Sequence, residues 1–171
     1  WAMALAVVLT LILMIGVGTV STSANSLPGD TLYPVKTATE KVQGFFIFGS
    51  EAKANFHMKL AQRRLDELKS LVEGNRSIPE LFPRAVNTET DGAIEILSQN
   101  RQVGNESIAR LVGLTSNQKT VLGELMEKVP HKERLKLQEV LVRSEHARGQ
   151  VQLLKNRMHQ MENMQGPPSP P

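Results

Sequence analysis

Four histidines, seven methionines and no cysteine set the chemical inventory of this 171-residue chain. His57, His131, His146 and His159 are scattered over separate polar stretches. None stands beside a serine and an acid in a nucleophile motif, and no glycine-rich phosphate loop occurs. The lack of cysteine removes disulfides, thiolate nucleophiles and thiolate zinc sites. Soft-ligand character gathers in one place, at Met158, His159, Met161 and Met164, whose thioethers and imidazole are donors that Cu(I) accepts. The plainer account is that Met158 and Met161 continue an apolar helical seam and fill gaps in it. Met164 falls outside that seam. His159 and Glu162, three apart, make half of a carboxylate–histidine site, with no second half in the sequence. The expectation is no catalytic residue, no cofactor and no resident metal, with the Met158–Met164 cluster as the candidate should one bind.

Arg63 and Arg64 form a basic pair, but Asp66 and Glu67 follow at once. Arg63 and Glu67 have the spacing of a solvated helical ion pair, worth ~0.3–0.5 kcal/mol. Arg64 borders an apolar stripe and is expected to be partly buried and paired. Acids and bases are mixed along the chain, the formal charge is only +3, and no basic block occurs. Nucleic acid is therefore not an expected partner.

The elements that carry these residues follow from periodicity. Residues 2–20, AMALAVVLTLILMIGVGTV, hold no charge, and the first charged residue is Asp30. Such a run matches the ~20 helical residues that cross a bilayer core, and in hydrocarbon it must be helical to satisfy its own backbone. A cleaved signal ending at Thr22-Ser23-Ala24 is the alternative, but the run is longer than the usual signal core and lacks a basic leader. A retained span at 1–20 is expected, with a cytoplasmic segment ahead of Trp1 and the remainder outside the cytoplasm. Residues 21–33 read as a small-residue linker closed by the Pro28-Gly29-Asp30 turn.

Residues 34–164 read as all-helical, a bundle of four or five helices arranged as hairpins. Aromatic residues are only 4% of the chain, which favours thin helix-on-helix packing over a deep core. A first helix is expected from Pro34, a residue suited to a first turn, to Phe48. The cluster Phe45-Phe46-Ile47-Phe48 is expected to be core between two helices; its alternative is to dip into the membrane interface. Ser50 caps a second helix to Glu73, with Ala54, Met58, Ala61, Leu65, Leu68 and Val72 as its apolar stripe. A third helix starts near Pro83 and carries Ile94, Leu97, Ile108 and Leu111, with Gly104-Asn105 as a possible break. Thr115-Ser116-Asn117-Gln118 fits a capping box opening a short helix that stops before Pro130. A last helix from His131 to Asn163 shows a three-and-four seam through Leu137, Val140, Ser144, Ala147, Val151, Leu154, Met158 and Met161. Residues 165–171 are a Pro-rich tail, and no repeat of fixed period is found.

Three stretches together resemble a bacterial family known only as a domain of unknown function: LPGDTLYPVKTATEKV from Leu27, LAQRRLDEL from Leu60, and the run from Leu114 to Ser144. The shared pattern is PGD-x-LYP-x-K, carried here by Pro28, Gly29, Asp30, Tyr33, Pro34 and Lys36, followed by A-x-RRL-x-EL with Arg63 and Arg64. The resemblance implies an extracytoplasmic helical module, commonly behind one membrane span, and it brings no catalytic or binding residue. LTSNQ at Leu114–Gln118 is also similar to the LTxxQ motif of periplasmic stress chaperones, present here once. The expected function is a sensory or scaffolding module of a membrane-anchored regulator with a protein partner. The alternative is a periplasmic stress chaperone or metal-binding sensor.

Overall fold

The turn at Pro28-Gly29-Asp30 forms as the sequence signals. Gly29 sits at φ +94°, where a residue without a Cβ is unstrained. Asp30 closes the turn twice over, its Oδ2 accepting the Leu27 N–H at 2.6 Å and its own N–H donating to the Leu27 carbonyl at 2.9 Å. Pro34 then occupies the first turn of a helix. Lys36, two residues on, reaches back to donate from Nζ to the Ser26 carbonyl at 2.9 Å, its ammonium 5.9 Å from the centre of the Tyr33 ring. The PGD-x-LYP-x-K pattern is thus a turn that fastens itself.

The computed structural model describes residues 24–100 and 104–164. Within them lie five helices and no strand: α1 Tyr33–Phe45, α2 Ser50–Glu73, α3 Pro83–Gln99, α4 Asn105–Lys128 and α5 His131–Met164. None of these helices is long and apolar enough to cross a membrane. The expected span at residues 2–20 and the Pro-rich tail at 165–171 lie outside the described residues. The chain divides into two compact units, residues 1–47 and 48–171.

In the first unit, α1 stops at Phe45 and not at Phe48 as expected. The Phe46 and Ile47 N–H groups bond to the carbonyls of Gln43 and Gly44, tightening the end to three-residue turns that close the helix. The Phe45–Phe48 cluster is a clear correction. Phe45, Phe46 and Phe48 are 80%, 66% and 80% exposed, so the cluster is not core.

The second unit is two antiparallel hairpins, α2–α3 and α4–α5. α2 packs on α3 and α4, and α5 on α4 and α3. Bonds between the hairpins keep one register. Asn117 to Gln62 and Arg84 to Glu139 are each 55 residues apart, Ser107 to Glu51 is 56, and Ser144 to Asn87 is 57. Hence α2 runs parallel to α4 and α3 parallel to α5, one hairpin stacked on the other. The stripe expected on α2 is buried throughout, and so is the α5 seam from Leu137 to Leu154.

Helix boundaries in the middle of the chain depart from expectation. The third helix is broken between Gln99 and Asn105, at the Gly104-Asn105 interruption; the departure is that its second piece runs on unbroken from Asn105 to Lys128. The Thr115–Gln118 capping box is no cap, because it lies in the middle of α4. The Thr115 hydroxyl bonds back to the carbonyls of Leu111 and Val112, the use such a residue finds inside a helix. Gln118 instead donates from Nε2 to Thr90 Oγ1 across to α3 at 2.6 Å.

Thr90 and Gln118 belong to a layer of buried polar groups. The Thr90 hydroxyl donates to the Val86 carbonyl, and Asn87 donates to the Val140 carbonyl at 3.2 Å while accepting from the Ser144 hydroxyl at 2.9 Å. Gln118 Oε1 is buried with no partner in the structure. Outside this layer, Lys136 straps the α2–α3 connection to α5. Its Nζ donates to the Ile78 carbonyl at 2.8 Å and lies 3.2 Å from carboxylate oxygens of Glu80 and of Glu133. Burial disfavours this ammonium, but the hydrogen bonds and charges of Glu133 and Glu80 outweigh burial and raise its pKa.

Two stability predictions follow from these contacts. Ser144→Ala leaves the buried Asn87 Oδ1 without its donor and should cost ~1–3 kcal/mol in urea unfolding. Gln118→Leu removes an unpartnered buried carbonyl and should be neutral or stabilising; an equal loss in both variants would show that the layer does not act through hydrogen-bond satisfaction. For Lys136 the folded-state pKa lies above the unfolded one, so its contribution is complete below the unfolded value and is lost as pH rises through the folded value. Stability titrated from neutral into strongly alkaline pH should fall less steeply in Lys136→Met than in the parent.

Candidate functional site

The N-terminus of α4 is fixed by a side chain from α2. Glu51 Oε1 accepts the Gly104 N–H at 3.1 Å and the Ser107 hydroxyl at 2.8 Å, placing a carboxylate at the positive end of the helix. A Cβ on Gly104 would stand 2.6 Å from that oxygen, so a larger residue there would push the Glu51 carboxylate off its seat. With α4 held there, its first two turns face the last third of α5.

Between them lies a groove of about 740 Å³. Ile108, Ala109, Val112 and Met158 supply its apolar lining, and Asn105, Gln152, Lys155, Asn156 and His159 its polar one. An apolar floor with convergent polar groups is the common form of a binding cleft. Its floor is continuous with the core, since Ile108 is a core residue and Val112 and Met158 pack against that core. Beyond the groove α5 runs on to Met164.

The four candidate metal residues fall on this end of α5, but they do not converge. Each step of three along a helix turns by about −60°, so Met158 and Met164 point ~120° apart. Exposure agrees: Met158 is half-buried against the core, whereas Met164 is 85% exposed. His159 lines the groove beside Met158. Among the described residues no group of three or more histidine, cysteine or acidic side chains is placed to hold a metal ion.

The motif residues are accounted for by architecture. Pro28, Gly29, Asp30, Tyr33 and Pro34 build the turn and first helical turn of the first unit. Arg64 is buried, as expected, and its Nη1 donates to both carboxylate oxygens of Glu67 at 2.9 Å. Glu67, expected to be solvated beside Arg63, is instead buried. Its position three residues beyond Arg64 puts both on one face of α2, and the apolar stripe carries that face inward. Arg63 is half-buried.

One pair escaped the sequence. His57 Nδ1 lies 2.8 Å from Glu89 Oε2, joining α2 to α3 in the manner of a carboxylate-oriented imidazole. Gly92 makes room for the ring, since a Cβ there would stand 3.1 Å from Nδ1. Thirty-two residues separate the partners, so no local spacing announces them.

This is an all-helical module whose site features are an interhelical groove, the buried Arg64–Glu67 pair and the partly exposed His57–Glu89 pair. Residues 25–132 match the family model described as a domain of unknown function (DUF5667), and the chain belongs to that family. No curated protein and no solved structure matches the chain at significance. The match spans the self-fastening turn, α1 to α4 and the start of α5, so the seam beyond Lys132 lies outside it.

Because the soft ligands diverge, Cu(I) or Zn(II) titrated onto the full chain should leave its melting temperature unchanged. A ligand at 100 times its Kd would add ~2.7 kcal/mol, readily seen in a melt. An upward shift that disappears in the Met158→Leu/Met161→Leu/Met164→Leu variant would establish a metal site at the end of α5.

Proposed function

We propose that this chain is a non-enzymatic module on the extracytoplasmic side of a bacterial cell membrane, sensing or scaffolding for a membrane-anchored regulator through contact with another protein. The observation that carries the reading is the order along the chain. An uncharged apolar run at residues 2–20 leads within a few residues into the family-matched helical domain at 25–132. A run of that composition is a membrane anchor by length, and α2 to α5 bury apolar stripes beneath polar outer faces. The groove between α4 and α5 offers a partner an apolar floor and a polar rim. The His57–Glu89 pair has a base and an acid, but neither a neighbouring nucleophile nor an oxyanion donor set accompanies it in the contacts described.

The rival chaperone reading draws on LTSNQ. Here Thr115 and Gln118 are consumed in bonds within α4 and to α3, so packing accounts for the motif without a client.

A C-terminal tag on the full gene tests the proposal. The tagged chain should resist carbonate extraction from membranes, and protease added to spheroplasts should digest its helical domain. A soluble tag, or a domain protected until the membrane is opened, would sink the reading.

A further inference from the structure

Helix α1 is built with its polarity reversed. Its buried side chains are charged, Lys36 and Glu40, four residues apart on one face. On the opposite side Ala38, Lys41, Val42 and Phe45 are all exposed at the spacing of a single helical stripe, and Phe46, just past the helix end, is exposed beside them. The large ones dominate: Val42 is 58% exposed, beside the Phe45 and Phe46 rings already described. Those two rings meet edge to face, their centroids 5.7 Å apart, forming one aromatic surface. Phe48, next along the chain, is exposed as well. Large apolar groups in a row on the outside of a helix mark a surface meant to be covered.

We propose that the Val42–Phe45–Phe46 face of α1 inserts shallowly into the headgroup region of the bilayer that residues 2–20 enter, so that the domain touches its membrane at a second point. The proposal rests on the membrane reading of residues 2–20. Three features favour lipid as the occupant. The first is tethering. Residues 21–32 span at most ~40 Å of extended chain and α1 about 20 Å, so the face is never far from that bilayer and meets it at high effective concentration.

The second is chemistry. Aromatic and aliphatic groups on one helix face, with a lysine beside them, suit the boundary between acyl chains and headgroups. Lys41 lies one turn before Phe45, where its ammonium meets anionic headgroups while its stem lies along the apolar face.

The third is charge complementarity. The stripe holds a cation and no acid. A second copy docked on it about a two-fold axis would set Lys41 near its own equivalent, whereas an anionic lipid surface neutralises it.

The absence of cysteine makes the test direct. The full chain carrying Val42→Cys, Phe46→Cys or, as the exposed control on α3, Ser98→Cys is nitroxide-labelled. Each variant is reconstituted into vesicles of phosphatidylcholine and phosphatidylglycerol. Power-saturation EPR then compares collision with oxygen, which concentrates in lipid, against collision with an aqueous nickel chelate. The expected result is an oxygen-to-nickel ratio several-fold higher at positions 42 and 46 than at 98. A chain that resists carbonate but gives the same ratio at all three sites overturns the insertion and leaves the anchor standing. Labels shielded from both reagents show a protein cover, with dipolar broadening identifying a second copy; either form overturns the insertion. A chain released by carbonate overturns the anchor and the insertion with it.

Discussion

The stacking of the two hairpins turns on one amide. Asn87, buried on α3, donates from Nδ2 to the Val140 carbonyl and accepts the Ser144 hydroxyl on its Oδ1. A buried amide that fails to find partners costs more than a satisfied one gains, so this contact acts chiefly against wrong registers. Sliding α5 by one helical turn would carry the Ser144 hydroxyl away from the buried Oδ1. Gln118, bonded to Thr90 through its Nε2 alone, adds one directional contact between α3 and α4. The leucine and valine seams around them supply the drive to associate but tolerate many alignments. With α3 indexed against α5, the near-constant offset elsewhere, including the seat of Glu51 at the head of α4, is a consequence.

What could be read in the chain follows the same division. Seams repeating at three and four residues are local statements, and Leu137 to Leu154 and Ala54 to Val72 are buried as their spacing indicates. The PGD turn and Pro34 are local too. Thr115-Ser116-Asn117-Gln118 misleads because a hydroxyl and an amide three residues apart suit a helix start and a buried cross-helix bond equally; only α3 decides between them. Glu67 looks solvated beside Arg63, yet the face it shares with Arg64 is turned inward. His57 and Glu89 meet through tertiary placement alone. The phenylalanine cluster misleads for another reason: a helical hairpin is expected to bury its turn, while the buried face of α1 is spent on Lys36 and Glu40.

The family pattern gains a physical meaning from these contacts. Gly29 supplies a backbone angle, Asp30 closes a turn, Pro34 starts a helix and Lys36 ties that helix to Ser26. Arg64 is bound to Glu67 within α2. Residues engaged in this way build a scaffold.

The parallel stacking of the hairpins also places the two ends of the second unit together. Ser50 starts α2 beside Glu51, which sits on Gly104 at the head of α4, and the head of α4 faces the α5 residues Lys155 to His159. Tension between Ser50 and Met164 would therefore act across the helices and not along them. Contacts loaded in that direction break one row at a time, like a zip, and resist far less than rows sheared together. A pull between those two residues therefore meets the unit along its weakest direction.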